Sequence, residues 1–256
     1  MIELAKSESE NLIFDRSTRE ERDYWTQRLS REFGPSSLTP DYPRLGSSLN
    51  RDSFEFVLED SLYQRVSRLT RGNTFLLYTT LLAALKVYLY QQGGNPWVVV
   101  GSPARRSDEA GAEVGNVVAI VDELSGAASF QQVLLQVRES LLQAYGKQQY
   151  PFSRVVHDAG VRVEAGRCPV FDIVLALESI HGAVPELGQD VEIRWRLAGA
   201  ELRGEINYQR RLFRRETIQR FAQQYEAALR AGVSSAGQAV QELAWSSEAE
   251  RHQLLV

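Results

Sequence analysis

Residues 73–94 read "NTFLLYTTLLAALKVYLYQQGG", and this stretch decides the architecture. Its apolar side chains do not keep to one stripe: from Phe75 to Tyr90 they occupy nearly every face, as in a helix covered by protein on most sides. Gly93 and Gly94 supply the residue type that closes a helix in the left-handed conformation. Such a helix belongs at the centre of a fold, with the other elements packed around it.

Working outward, "WVVVGSP" (97–103) is a short β-branched run ending in turn residues, and "NVVAIVDEL" (116–124) is another. Ser129 and Gln132 stand at capping-box spacing before "FQQVLLQVRESLLQAY", whose Phe130, Val133, Leu134, Val137, Leu141 and Leu142 are expected on one face. On the N-terminal side, Phe54, Phe56 and Leu58 alternate with polar neighbours as in a strand, and Leu62, Val66 and Leu69 follow at helical spacing. Ser17 to Arg31 reads as an amphipathic helix with Tyr24, Trp25 and Leu29 on its apolar side. Between them, "FGPSSLTPDYPRLGSSLNRDS" carries Pro35, Pro40 and Pro43, so it is expected as an extended loop draped on the body, the most linker-like stretch of the chain. Toward the C-terminus come strands at "VFDIVLALES", "VEIRWRL" and "LRGEINYQ", a helix from about Glu216 to Arg230, and a last helical piece opened by Ser247 and Glu250. No internal repeat appears. The fold class is α/β in the broad sense (α+β): an open mixed sheet flanked by helices.

Composition narrows the function. The chain has 256 residues, 43% hydrophobic and 24% charged, an ordinary globular make-up. With 29 basic against 33 acidic side chains and a net charge of -4, it offers no overall positive field for nucleic acid or an anionic membrane. A single cysteine, Cys168, excludes an internal disulfide framework and suits a reducing compartment; it reads as a small buried apolar residue. The first residues lack the basic lead and apolar core of a signal peptide, and no apolar run approaches the ~18 residues of a spanning helix. The expectation is a cytoplasmic protein.

The chemistry-bearing residues are sparse. The histidines are His157, His181 and His252, and none has metal-ligand spacing. His157 ends a short helical pattern and His181 follows a strand in a turn, where surface or structural roles are expected. Nucleophile-elbow, phosphate-loop and dinucleotide glycine motifs are absent, and acidic pairs such as Glu20-Glu21 read as solvated faces. The residues alone name no reaction, metal or cofactor.

Several segments in register nevertheless carry a resemblance. "RDYWTQRLS", "PDYPRL", "LLAALKVYLYQQGGNPWVVVGSPARRSDEAGAEVGNVVAIV", "SFQQVLLQVRESLLQAYGKQQYPFSRVV", "RCPVFDIVLALES", "NYQRRLFRRETIQRFAQQY" and "ELAWSSEAERHQLL" together resemble the condensation domains of nonribosomal peptide synthetases. Those domains look like two chloramphenicol-acetyltransferase-type lobes in a V, and the chain resembles the C-terminal lobe. The family's His-His-x-x-x-Asp-Gly motif, whose second histidine is implicated in amide formation, does not occur; around His181, Pro185 stands where the aspartate should be.

Matched residue by residue, the family's Gly-Phe-Phe-Val-Asn-Thr falls on Gly115 to Ile120, so a polar Asn-Thr pair has become apolar. The His-Gln-Asp-Tyr-Pro-Phe-Glu motif falls on Lys147 to Ser153 and keeps Tyr150, Pro151 and Phe152. Ser-Arg-Asn-Pro-Leu falls on Gly166 to Val170 and keeps Arg167 and Pro169, with Phe171 following. The resemblance thus implies a retained scaffold with lost working groups. Pro151 can open a short helix where its missing N–H is not needed, letting Phe152 pack back on the long preceding helix. The expected division is an N-terminal helix and Pro/Ser-rich linker over 1–50, the lobe over 51–245, and over 246–256 the start of a linker towards an adenylation domain.

The surface that would meet another lobe should be apolar and need covering by a partner, a neighbouring domain or altered surface residues. A second surface feature is the cluster Arg210, Arg211, Arg214, Arg215 and Arg220 at a helix start, where positive charge opposes the helix dipole; it is either a solvated charge run or a docking patch. The favoured expectation is a non-catalytic adaptor that braces an adenylation domain and governs contact with a carrier protein or partner synthetase subunit, without cofactor. The alternative is half of a split acyltransferase completed in trans by a lobe carrying the histidine motif. A self-sufficient trimeric acetyltransferase would need a catalytic histidine signature that the chain does not have.

Overall fold

A computed structural model describes residues 18–31, 33–34, 36–44, 50–106 and 115–243. In chain order the elements are α1 (residues 18–28), β1 (Arg51–Val57), α2 (Asp60–Thr70), α3 (Thr74–Gly93), β2 (Trp97–Pro103), β3 (Val117–Glu123), α4 (Phe130–Tyr145), α5 (Phe152–Asp158), β4 (Ile173–Leu177), β5 (Val191–Ala198), β6 (Glu201–Gln209) and α6 (Arg215–Ser234).

Helix α3 is the expected centre. Asn73 caps its start by accepting from the Leu76 N–H, and Gly94 closes it at φ 64°. Every residue from Leu77 to Leu89 is buried, including Lys86. A charge there is costly unless it is paired and hydrogen-bonded. Lys86 Nζ lies 2.7 Å from Asp122 Oδ2 of β3 and donates to the carbonyls of Val98 (3.0 Å) and Ile120 (2.6 Å). Ser140 Oγ donates to the other Asp122 oxygen at 2.6 Å, and Arg28 of α1 reaches Ser140 Oγ at 2.9 Å. Burial drives the Lys86 ammonium below its usual pKa while Asp122 opposes that shift. One buried pair therefore ties α3, β3, α4 and α1 together.

The sheet runs β1-β6-β5-β4-β2-β3. β1, β6 and β5 pair antiparallel, β5 and β4 parallel, β2 and β3 antiparallel, and β2 meets β4 in parallel only at Gly101 and Val174. α2, α3, α4 and α6 pack on one face, where Trp195 of β5 meets Phe56 of β1 (5.1 Å) and Tyr225 of α6 (6.0 Å). Gly204 makes room for this stack: a Cβ there would lie 2.5 Å from the Phe56 ring.

The Pro-rich segment is draped as expected, with specific anchors. Ser36 Oγ accepts from the Val99 N–H (2.9 Å), Leu38 is buried, and Arg44 forms a two-pronged ion pair with Asp190 (2.8 and 2.5 Å). Asp41 reaches the start of α6, where Oδ2 accepts from the Arg214 N–H (2.8 Å) and Oδ1 from Thr217 Oγ1 (2.9 Å). A carboxylate 173 residues away in sequence thus supplies the cap that the local arginines could not.

Several expectations are corrected. On α2 the buried row is Leu62, Val66 and Thr70, leaving Leu69 46% exposed. On α4 it is Phe130, Val133, Val137, Ser140, Leu141 and Ala144; Leu142 is exposed, because the face turns toward Asp122 and Arg28, which engage Ser140. The first helix ends at residue 28 rather than at Arg31, and Ser17 and the piece opened by Ser247 lie outside the described residues. Of the surface and structural roles expected for His181, the structural one is seen: it is 1% exposed.

Candidate functional site

The Tyr150-Pro151-Phe152 corner is held by Asn116. This buried side chain donates from Nδ2 to the carbonyls of Gln148 and Tyr150, each at 2.8 Å, and accepts from the Phe152 N–H at 3.0 Å. Pro151 sits at the N-cap of α5 with φ −62° and ψ 135°. The Tyr150 hydroxyl donates to Asp158 Oδ2 at 2.5 Å. The Phe152 ring partner is Phe171, 5.3 Å away, ahead of β4. Phe171 also packs against β2, where a Cβ on Gly101 would come 2.7 Å from its ring. Gly115, singled out from the sequence, is exposed with nothing within 4 Å of a Cβ, so the sterically required glycine here is Gly101.

Arg167 grips Asp172 through two 2.7 Å hydrogen bonds, and the Asp190 N–H donates to the Asp172 carbonyl at 2.8 Å. Together with the Arg44–Asp190 pair, this ties the starts of β4 and β5 to each other and fastens the N-terminal strap. Pro169 and Phe171 border a cavity of about 160 Å3 that also meets Ser36, Val99 and Arg167. Cys168 faces it but is 2% exposed, and burial pushes its thiol up to about 11, which fits the small apolar role read from the sequence.

The described histidines are both committed. His181 Nδ1 accepts from the Leu177 N–H (2.9 Å), so Nε2 carries the proton and donates to the Tyr145 hydroxyl (2.7 Å). Tyr145 in turn bonds Ser102 Oγ (2.8 Å), which also accepts from Tyr78 (2.7 Å). Burial, then Arg106 and Arg105 nearby, lower the His181 pKa to about 3, so it stays neutral. His157 is exposed and bonded to Asp158 at 2.8 Å. His252 lies outside the described residues. Among the described residues no group of His, Cys, Asp and Glu could hold a metal ion, and no helix is long and apolar enough to cross a membrane.

Arg210, Arg211, Arg214, Arg215 and Arg220 are all exposed. Arg214 lies over the Tyr42 ring (5.3 Å) and donates to its hydroxyl, Arg215 donates to the Ser53 carbonyl, and Arg220 reaches Thr217. Arg210 and Arg211 make no side-chain hydrogen bond or ion pair among the described residues.

The face of β1-β6-β5 turned away from the helices is charged. Glu55, Glu178, Arg194, Arg196, Arg203 and Glu205 line a cleft of about 300 Å3 there. Among the described residues the exposed large apolar side chains, Tyr42, Val57, Leu69, Leu135, Leu142 and Val163, are scattered over several elements.

The comparisons with known proteins decide the family. The condensation-domain model matches residues 5–255. The chain belongs to the condensation-domain family. Among relatives of this condensation-type chain, gramicidin S synthase 2 of Brevibacillus brevis is 28% identical over 258 residues, covering 92% of this chain and 6% of that protein. Tyrocidine synthase 3 of Brevibacillus parabrevis is 26% identical over 259 residues, 93% of this chain and 4% of that protein. The chain therefore spans only a small part of the synthases it matches. In fold it is similar to a four-domain nonribosomal peptide synthetase bound to AMP and glycine (TM-score 0.77, 19% identity, 91% of this chain and 20% of that one). It is equally similar to the X-domain from teicoplanin biosynthesis (TM-score 0.77, 16% identity, 94% and 61%).

The structure brings the Tyr-Pro-Phe corner and the Arg167 motif together at Phe171, a convergence that spacing along the chain does not state. Sequence reasoning also missed Asn116, Lys86 and Asp41. A lone lysine inside an apolar helix and a lone aspartate inside an apolar strand were the available signal for the buried pair.

Proposed function

We infer that this chain is a condensation-type lobe that does not form the amide bond by itself and acts through protein contacts. It braces an adjoining adenylation domain and governs contact with carrier or partner synthetase subunits. The observation that carries this reading is the commitment of the two described histidines. A general base must reach the proton it removes; His181 is sealed in the core with both ring nitrogens bonded, and His157 stands on the surface bonded to Asp158. The relatives it resembles are peptide synthases many times its length, which supports the partner class, and a solved structure of the same fold is a complex of the X-domain and OxyB (TM-score 0.77, 16% identity). The motif residues Tyr150, Pro151, Phe152, Arg167, Pro169 and Phe171 serve as framework, and Gly115 is assigned no contact of its own. Arg210 and Arg211 are the arginines left to meet an acidic partner.

Calorimetric titration with the adenylation and carrier domains of its own synthetase tests this. Binding to at least one is expected, weakened about tenfold in Arg210→Glu/Arg211→Glu and by added salt. Binding to neither would refute the adaptor reading. Amide formation only after adding a separate lobe with the His-His-x-x-x-Asp-Gly motif would establish the split enzyme instead.

A further inference from the structure

On the helix-free face of β1-β6-β5, strand register sets Glu55 directly opposite Glu205 and Arg196 directly opposite Arg203. Like charges directly across a strand pair repel. The two pairs are adjacent: Glu205 and Arg203 are two residues apart on β6, about 7 Å along the strand. Arg203 is partly satisfied by Glu201 of its own strand (2.8 Å). Arg194 faces Glu205 from β5, but its guanidinium is drawn to Glu192 of its own strand (2.6 Å). The isolated chain therefore holds a carboxylate pair beside a guanidinium pair, with Glu178 also lining the cleft and no ion pair made by Arg196, Glu55 or Glu205 among the described residues.

We propose that this face is an interface between two copies of the chain. A twofold axis lying in the contact plane between the two pairs sets Glu55 and Glu205 of each copy over Arg203 and Arg196 of the other, so one patch supplies its own complement. A uniformly acidic or basic partner would meet repulsion from one pair whichever way it docked. Packed sheets stand about 10 Å apart, a gap that an extended arginine facing a glutamate fills. Val57, half exposed at the end of β1 and paired in register with Arg203, adds apolar contact at the margin. Three strands make a contact smaller than the ~800 Å2 per partner of a standard stable interface, so the dimer is weak and dissociates readily in salt.

Sedimentation velocity of the purified full chain at high protein concentration reads this directly. The wild type is expected to dimerise at low ionic strength and to dissociate as salt is added. Glu55→Lys/Glu205→Lys, an all-basic face, and Arg196→Glu/Arg203→Glu, an all-acidic face, should each weaken self-association at least about tenfold. Their equimolar mixture should restore a dimer containing one of each. Circular dichroism melting checks that both variants fold, and the milder Glu55→Gln/Glu205→Gln variant, expected to weaken the dimer without reversing charge, replaces any that does not. A wild type monomeric at every ionic strength would overturn the proposal, as would a dimer indifferent to salt and to these substitutions, or variants that fail to pair with each other.

Discussion

His181 donates through Nε2 to Tyr145 because the Leu177 N–H already occupies Nδ1. Adding a proton would place a second donor against that N–H, in a site where burial and two arginines already oppose positive charge. The folded-state pKa, about 3, lies below the unfolded value near 6.5. Between those limits the unfolded chain binds a proton that the folded chain refuses, so stability falls as pH drops through that window, by up to about 1.4 kcal/mol per pH unit. Urea denaturation from pH 7 to 4 should show this slope in the wild type and a shallower one in His181→Gln, itself less stable at pH 7. Equal slopes would mean that His181 takes up its proton normally. The same residue shows what the sequence conceals: a histidine after a strand looks like a turn residue, and only the packing of Tyr78 (4.5 Å ring to ring) and Tyr145 on it reveals a core position.

Local elements were legible where their signals are local. The Ser129–Gln132 capping box and the Asn73 and Gly94 ends of α3 all depend on residues within a turn of one another. The start of α6 was legible to within one residue, about Glu216 against Arg215, but its cap was not. Arg214 at its N-cap offers no side-chain acceptor, and the acceptor comes from Asp41 on the strap. Asp41→Ala should therefore lower stability by about 1 kcal/mol, and Asp41→Asn, also a good cap, should recover most of it in equilibrium denaturation. No loss in Asp41→Ala would mean that the strap contact is incidental. The Asn116 clamp and the Lys86–Asp122 pair were hidden for the same reason: each joins segments more than thirty residues apart, in a register that no periodicity encodes. The charge of the β1-β6-β5 face was hidden too, since alternation within each strand is visible in sequence but which charges stand opposite one another is not.

Taken as a whole, the molecule invests its polar chemistry in cohesion. Lys86–Asp122 joins the central helix to the edge strand, Arg167–Asp172 and Arg44–Asp190 fasten loop and strap to the sheet, and His181 is locked into a tyrosine–serine network. Among the described residues the α6 arginines and the bare strands leave charge on the outside, which on the proposed reading serves protein recognition. The most direct test is an amide-formation assay with the purified chain and two carrier-tethered acyl substrates, followed by mass spectrometry of the carrier-bound product. Product at the level of the protein-free control is the expected result. Turnover by the chain alone, abolished by replacing His157 or His181 with alanine in a folded variant, would contradict it.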